Sequence, residues 1–260
     1  MQYGDHSTPY TTSSRTGLLC NEVGYVTSNS TNDVEYISTA AIGEKAIYCK
    51  NGLQRITSTV NQCTIDALTV SAWFKSTNAK PKNDYHIVLA IDSGVVEISV
   101  PKNGQLRWGG YNKVNNSTTV RFCSNANANL LDGQWHLLTI VYDGSGWLGY
   151  VDGVYKGKHT EATVSGVKYT CSGPIAYTNK KLTIGRYYDD TVSNYGATDA
   201  YIDDVRIYNS VLSPEEIKEL YNCGGRISNL GDALTGSFIE GESATQVNKN
   251  HTITTKEIYE

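Results

Sequence analysis

The stretch Asp132–Lys158, DGQWHLLTIVYDGSGWLGYVDGVYKGK, constrains the fold of this chain more than any other. Gln134 to Tyr142 is an apolar run rich in β-branched and aromatic residues, as expected of a strand buried on both faces. Asp143-Gly144-Ser145-Gly146 is turn chemistry, because glycine accepts the positive φ that hairpin turns demand. Trp147 to Val151 resumes the strand pattern, Asp152-Gly153 turns it again, and Val154 to Lys158 begins a third strand. Two consecutive hairpins make an antiparallel meander and point to an all-β core. A helix here would carry four interior glycines, at roughly 1 kcal/mol each.

Strand patterns recur on either side. In Leu68 to Lys75, Leu68, Val70, Ala72 and Phe74 share one face, and Thr69, Ser71, Trp73 and Lys75 the other. Tyr85 to Ile91, Val95 to Val100, Gln105 to Tyr111 and Val120 to Cys123 read as further strands. Asp92-Ser93-Gly94 and Lys102-Asn103-Gly104 supply turns between them. Thr160 to Thr178 reads as a loop-rich crossing between sheets. Leu182 to Arg186 and Ala200 to Tyr208 are the last strands. A single helix is expected over Leu212 to Asn222: Ser213 and Glu216 form a capping box, Pro214 suits the first helical position, and Leu212 and Ile217 are spaced as a hydrophobic staple.

"DGQWHLLTIVYDGSGWLGYVDG", "LTVSAWFKS" and "LTIGRYYDD" with "YIDDVRIYNSVLSPEEIKELYN" occur in this order and resemble the laminin G-like domains of the concanavalin A-like lectin and glucanase group. The resemblance spans about residues 17 to 222. It implies an all-β, concanavalin A-like jelly-roll sandwich of two antiparallel sheets with one short C-terminal helix. It implies little about activity, because this fold hosts lectins, hydrolases and structural modules. Three parts are expected: an N-terminal arm at residues 1–16, the sandwich at 17–222, and a docking extension at 223–260. Gly236 to Ile239 and Thr252 to Ile258 read as short strands of that extension. The extension resembles those that follow laminin G-like domains in some phage minor structural proteins.

The formal net charge of −4 gives no footprint for nucleic acid, and no apolar run is long enough to span a bilayer. No signal peptide is visible at the start. Six cysteines (Cys20, Cys49, Cys63, Cys123, Cys171, Cys223) form no zinc spacing. They read as buried free thiols, with disulfides as the alternative.

The glucanases of this fold carry a Glu-x-Asp-x-x-Glu strand, and this chain has none. Glu97 is the sole acid in a central strand run and lacks carboxylate partners at alternate positions, so no catalytic residue is expected. His136 reads as a satisfied core histidine. Trp108 and Tyr111 flank a turn, and Tyr187, Tyr188, Asp189 and Asp190 cluster in one loop. Exposed aromatics beside loop carboxylates are what a glycan-binding rim requires. The alternative is that Trp108 and Tyr188 pack over the sheet edge. In several members of the resembled family an Asp of the last strand binds Ca²⁺, and this implies Asp204, or its neighbour Asp203, as a metal ligand.

The expected function is therefore that of a non-enzymatic phage virion appendage, in capsid or tail, that binds host-surface glycans. Its expected partners are a host polysaccharide and other virion proteins or itself, with no nucleic acid and no membrane. The alternatives are a secreted bacterial carbohydrate-binding or glycan-degrading module, in an extracellular setting, and a purely structural decoration module.

Overall fold

The computed structural model describes residues 2–3, 23–27, 35–38, 40–42, 46–49, 56–60, 65–81, 84–91, 94–176, 181–186, 198–208, 210–222, 245–248 and 251–254. The strands are β1 (Gln2–Tyr3), β2 (Val23–Thr27), β3 (Glu35–Ile37), β4 (Ala46–Cys49), β5 (Ile56–Val60), β6 (Leu68–Lys75), β7 (Tyr85–Ile91), β8 (Val96–Pro101), β9 (Leu106–Lys113) and β10 (Thr119–Ala126). They continue with β11 (His136–Tyr142), β12 (Trp147–Val151), β13 (Val154–His159), β14 (Glu161–Val164), β15 (Val167–Thr170), β16 (Lys181–Ile184), β17 (Ala200–Tyr208), β18 (Thr245–Asn248) and β19 (His251–Thr254).

Two antiparallel sheets form the sandwich. The first is eight-stranded, in the order β13-β12-β11-β6-β17-β4-β3, with β1 also paired to β17; the second is seven-stranded, in the order β10-β9-β8-β7-β16-β5-β2. The expected meander is there: β11, β12 and β13 are neighbours, joined by turns in which Gly144 has φ +84° and Asp152-Gly153 has φ +53° and +73°. Positive φ at both central residues is the type I′ geometry that matches strand twist.

Period-2 alternation sends one face of each strand into a shared core. Leu68, Val70, Ala72 and Phe74 of β6 meet Ile98 of β8, Leu106 and Trp108 of β9 and Phe122 of β10 in a single buried cluster. The opposite face of β6 is buried too, apart from the half-exposed Lys75. It is covered by the one helix among the described residues, residues 214–222. Ile217 packs with Leu212, Val141 and Tyr150, and Tyr221 stacks on Trp73 at 5.7 Å. The capping box forms as expected, Glu216 N–H donating to Ser213 Oγ at 3.2 Å and Ser213 N–H to Glu216 Oε2 at 2.7 Å. This helix is too short to cross a membrane.

Some expectations are corrected here and others are met or extended. The segment Thr160–Thr178 is not mainly loop: β14 and β15 form a hairpin turned by Ser165-Gly166, with φ +50° and +79°. Sequence alternation there is weak because most of these residues are exposed, which removes the apolar signal. Strands β2 to β5 occupy the N-terminal quarter, where low charge and scattered glycines mask the pattern. Gln2 and Tyr3 of the expected arm pair with Arg206 and Val205 of this sandwich. In the expected extension, β18 and β19 pair as a hairpin, whereas Gly236–Ile239 lies outside the described residues. Cys49 and Cys171 are buried free thiols and Cys123 is a half-buried one; Cys20, Cys63 and Cys223 lie outside the described residues. Burial pushes the Cys49 thiol up to about 12.

Candidate functional site

The seven-stranded sheet turns a polar row away from the core. In β8, β9 and β10 the inward positions are apolar, so alternate positions place Glu97, Ser99, Arg107, Tyr111, Arg121 and Cys123 on the outer face. Register brings them together: Ser99 lies opposite Arg107, Tyr111 opposite Arg121, and Gly109 between Glu97 and Cys123. A Cβ at Gly109, where φ is +147°, would sit 2.0 Å from the Phe122 carbonyl oxygen, so only glycine fits there.

Glu97 is fully buried despite its charge, a placement that requires partners. Arg107 donates from Nη1 to Oε1 at 2.8 Å, Arg121 donates from Nη2 to Oε2, and Ser99 Oγ donates to Oε1 at 2.5 Å. Each guanidinium lies over a ring: Arg107 is 5.0 Å from the centroid of Tyr85, and Arg121 is 5.5 Å from that of Tyr111. The result is a braced polar cluster. The arginine side chains retain 18% and 33% of their exposure and the Glu97 side chain 1%. The contacts of Glu97 include two guanidiniums and a hydroxyl.

Of the residues proposed from sequence, Tyr111 stands in this cluster, half-buried. Trp108 does not, and its reading as a rim aromatic is corrected. It points from β9 into the core with 1% exposure, its ring lies against Gly149 of β12, and its Nε1 donates to the Trp147 carbonyl at 3.0 Å. Trp108 and Tyr111 flank no turn; they stand on opposite faces of one strand, three positions apart. Tyr187, Tyr188, Asp189 and Asp190 lie outside the described residues. Sequence reading missed Arg107 and Arg121 as partners of Glu97. Their signal was charged residues at alternate positions of otherwise apolar strands, and their meeting depends on register.

The calcium expectation does not fit the two aspartates as they are held. Asp203 Oδ2 accepts the backbone N–H groups of Ala41 and Ile42, each at 2.9 Å, and Oδ1 accepts that of Asp204 at 2.8 Å. Burial pushes the Asp203 carboxyl up to about 7, against the pull of these donors. Asp204, at φ +41°, turns both oxygens to Arg206 Nε at 2.9 and 2.8 Å. A cation needs oxygen acceptors around it, and here N–H donors and a guanidinium surround both carboxylates. The cause is a bulge: Asp203 pairs with Trp73 and Arg206 with Ser71, so β17 holds one residue more than β6 across this step. Among the described residues, no group of three or more His, Cys, Asp or Glu is arranged to hold a metal.

His136 is not a core histidine. It is half-buried, with Nδ1 2.8 Å from Asp152 Oδ2 and Nε2 3.1 Å from Asp132 Oδ1. Hydrogen bonding to Asp152 is the largest influence on it and raises its pKa.

A family model described as the concanavalin A-like lectin/glucanases superfamily matches residues 51–218. No curated protein sequence matches this chain. Among solved structures, the receptor-binding domain of botulinum neurotoxin D is similar with a TM-score of 0.52 and 13% identity, over 77% of this chain and 48% of that one. The type G receptor-binding domain is similar at 0.50 and 16%, over 76% and 46%. A serotype D ligand-binding domain in complex with N-acetylneuraminic acid is similar at 0.51 and 13%, over 77% and 46%. These likenesses are of fold, and the chain spans about half the length of the structures it matches.

Proposed function

We propose that this chain, which belongs to the concanavalin A-like lectin/glucanase superfamily, is a glycan-binding module that performs no catalysis. The observation that carries this reading is the outer face of the seven-stranded sheet, where Glu97 is clamped between Arg107 and Arg121 and each guanidinium lies over a tyrosine. Fixed planar donors and acceptors beside aromatic rings suit a sugar, which presents hydroxyls around its edge and C–H groups on its faces. A carboxylate with both oxygens engaged by guanidiniums is poorly placed to move a proton, which favours binding over hydrolysis.

The finer reading is an appendage of a phage virion, in capsid or tail, that turns the sandwich toward host-surface glycans. It is supported by the resemblance of residues 223–260 to extensions found in phage minor structural proteins. Immunogold labelling of purified particles tests it. Label found only on free protein in bacterial culture supernatant would favour a secreted module.

The binding reading is tested on a glycan array that includes sialosides, since one structure of the same fold is in complex with N-acetylneuraminic acid. Isothermal titration calorimetry then compares wild type with Tyr111→Ala. Loss of one aromatic partner should weaken affinity roughly threefold to tenfold. An array with no hits, or hydrolysis of an arrayed glycan, would refute the reading.

A further inference from the structure

The eight-stranded sheet carries a second aromatic row, at the rim where the helix no longer covers it. Tyr48 of β4 pairs with Tyr201 of β17, and Tyr201 pairs with Lys75 of β6. His136 of β11 pairs with Phe74, so Trp135 stands beside Lys75 one step further on. Four neighbouring positions at the usual spacing make a row of about 14 Å. The rings are in contact: Tyr48 and Tyr201 stack at 4.6 Å with 25° between planes, Trp135 meets Tyr201 edge-on at 6.5 Å, and Lys75 Nζ lies 5.9 Å from the Trp135 ring. All four side chains are half-buried. Two residues along β6 from Lys75, on the same face, Trp73 is sealed by Tyr221 and Leu220 of the helix.

Polar groups gather at one end of this row. Asp199 accepts the Tyr48 hydroxyl at 2.7 Å and the Asn78 amide at 3.1 Å, and its carbonyl accepts Ser76 Oγ at 2.9 Å. Its backbone N–H donates to Nδ1 of the buried His86, whose Nε2 lies 2.8 Å from the Asn78 carbonyl. Asp199 and Asn78 are thus fixed from below while remaining half-exposed.

We propose that this rim is a binding site for a neutral disaccharide. The solvent-exposed parts of the Trp135 and Tyr201 rings would take C–H groups of the sugars. Asp199 and Asn78 would take hydroxyls, and each oxygen of Asp199 keeps a second lone pair for this. The charges of Lys75 and Asp199 balance, which selects against an acidic ligand. The inference borrows the ligand class of the proposed function but none of its residues.

The chain supplies its own reporter. Of its four tryptophans, Trp73, Trp108 and Trp147 are buried at 4%, 1% and 0% exposure, and Trp135 alone is half-exposed. Acrylamide quenching of the wild-type protein therefore reads Trp135. The experiment titrates lactose, maltose and cellobiose by calorimetry and by quenching. One of them is expected to bind saturably and to shield the fluorescence. Trp135→Ala should weaken that binding about tenfold or more, Asp199→Asn should weaken it less, and Tyr111→Ala should leave it unchanged. Melting curves confirm that each variant is folded, and Trp135→Phe, expected to retain part of the affinity, replaces Trp135→Ala if the latter is not. Binding weakened by Tyr111→Ala and indifferent to both Trp135 variants would overturn the rim and leave the sheet-face reading standing. No binding by these sugars, together with array hits that need Tyr111, would do the same. No binding by any glycan would overturn both.

Discussion

Replacing Trp108 by alanine is expected to melt the sandwich rather than to unseat a ligand. Trp108 of β9 and Trp147 of β12 form a reciprocal pair across the core. A Cβ on Gly149 would lie 2.6 Å from Trp108 Cδ2, and a Cβ on Gly110 would lie 2.4 Å from Trp147 Cζ2, so each indole occupies the space above the other strand's glycine. Both N–H groups are satisfied, that of Trp108 by the Trp147 carbonyl and that of Trp147 by Asn112 Oδ1 at 2.8 Å. Truncating a buried tryptophan costs about 3–5 kcal/mol. At roughly 2–4 °C per kcal/mol for a protein of this size, the melting temperature should fall by about 6 to 20 °C. Gly149→Ala attacks the same contact from the other side and should cost about 1–3 kcal/mol by overpacking. Combining Gly149→Ala with Trp108→Leu should relieve the clash, giving a double mutant more stable than the sum of the single effects predicts by about 0.5–3 kcal/mol. Circular dichroism melts and urea titrations measure all of these. A Trp108→Ala protein that melts within about 2 °C of wild type but has lost glycan affinity would refute this account and return Trp108 to a binding surface.

Three further outcomes are expected. Asp203→Ala leaves the N–H groups of Ala41, Ile42 and Asp204 without their acceptor and should cost about 2–5 kcal/mol in urea titrations, whereas excess chelator should leave the wild-type melting temperature unchanged; a chelator-induced drop would restore the calcium expectation. His136 has a raised pKa in the folded state, so its contribution is complete below the ordinary histidine value and is lost as pH rises through the raised one. The stability gap between wild type and His136→Ala should therefore shrink from mildly acid to alkaline pH, and a gap that widens would contradict the assigned contacts with Asp132 and Asp152. Ser213→Ala removes the helix cap and should cost about 1 kcal/mol, read as a small fall in melting temperature.

What the sequence determined was local. The Asp143–Gly146 and Asp152-Gly153 turns, the alternating run of β6, the strand runs of β7 and β11, and the Ser213–Glu216 cap each depend on a few consecutive residues, and each formed where the pattern placed it. Two antiparallel sheets follow from such runs, because an alternating strand has to bury one face against another layer. Tertiary structure decided which polar groups meet. Glu97 and Arg121 are 24 residues apart and Asp203 and Ile42 are 161 apart, and no local pattern records either pairing. A shift of one residue in register would have sent Arg107 inward and Trp108 outward. Trp108 is buried because β9 faces Gly149 across the core, and the sequence around Trp108 contains no sign of that glycine. At Asp203–Arg206 the extra residue of the bulge turned both carboxylates toward N–H donors, a consequence of pairing between β17 and β6 rather than of either strand alone.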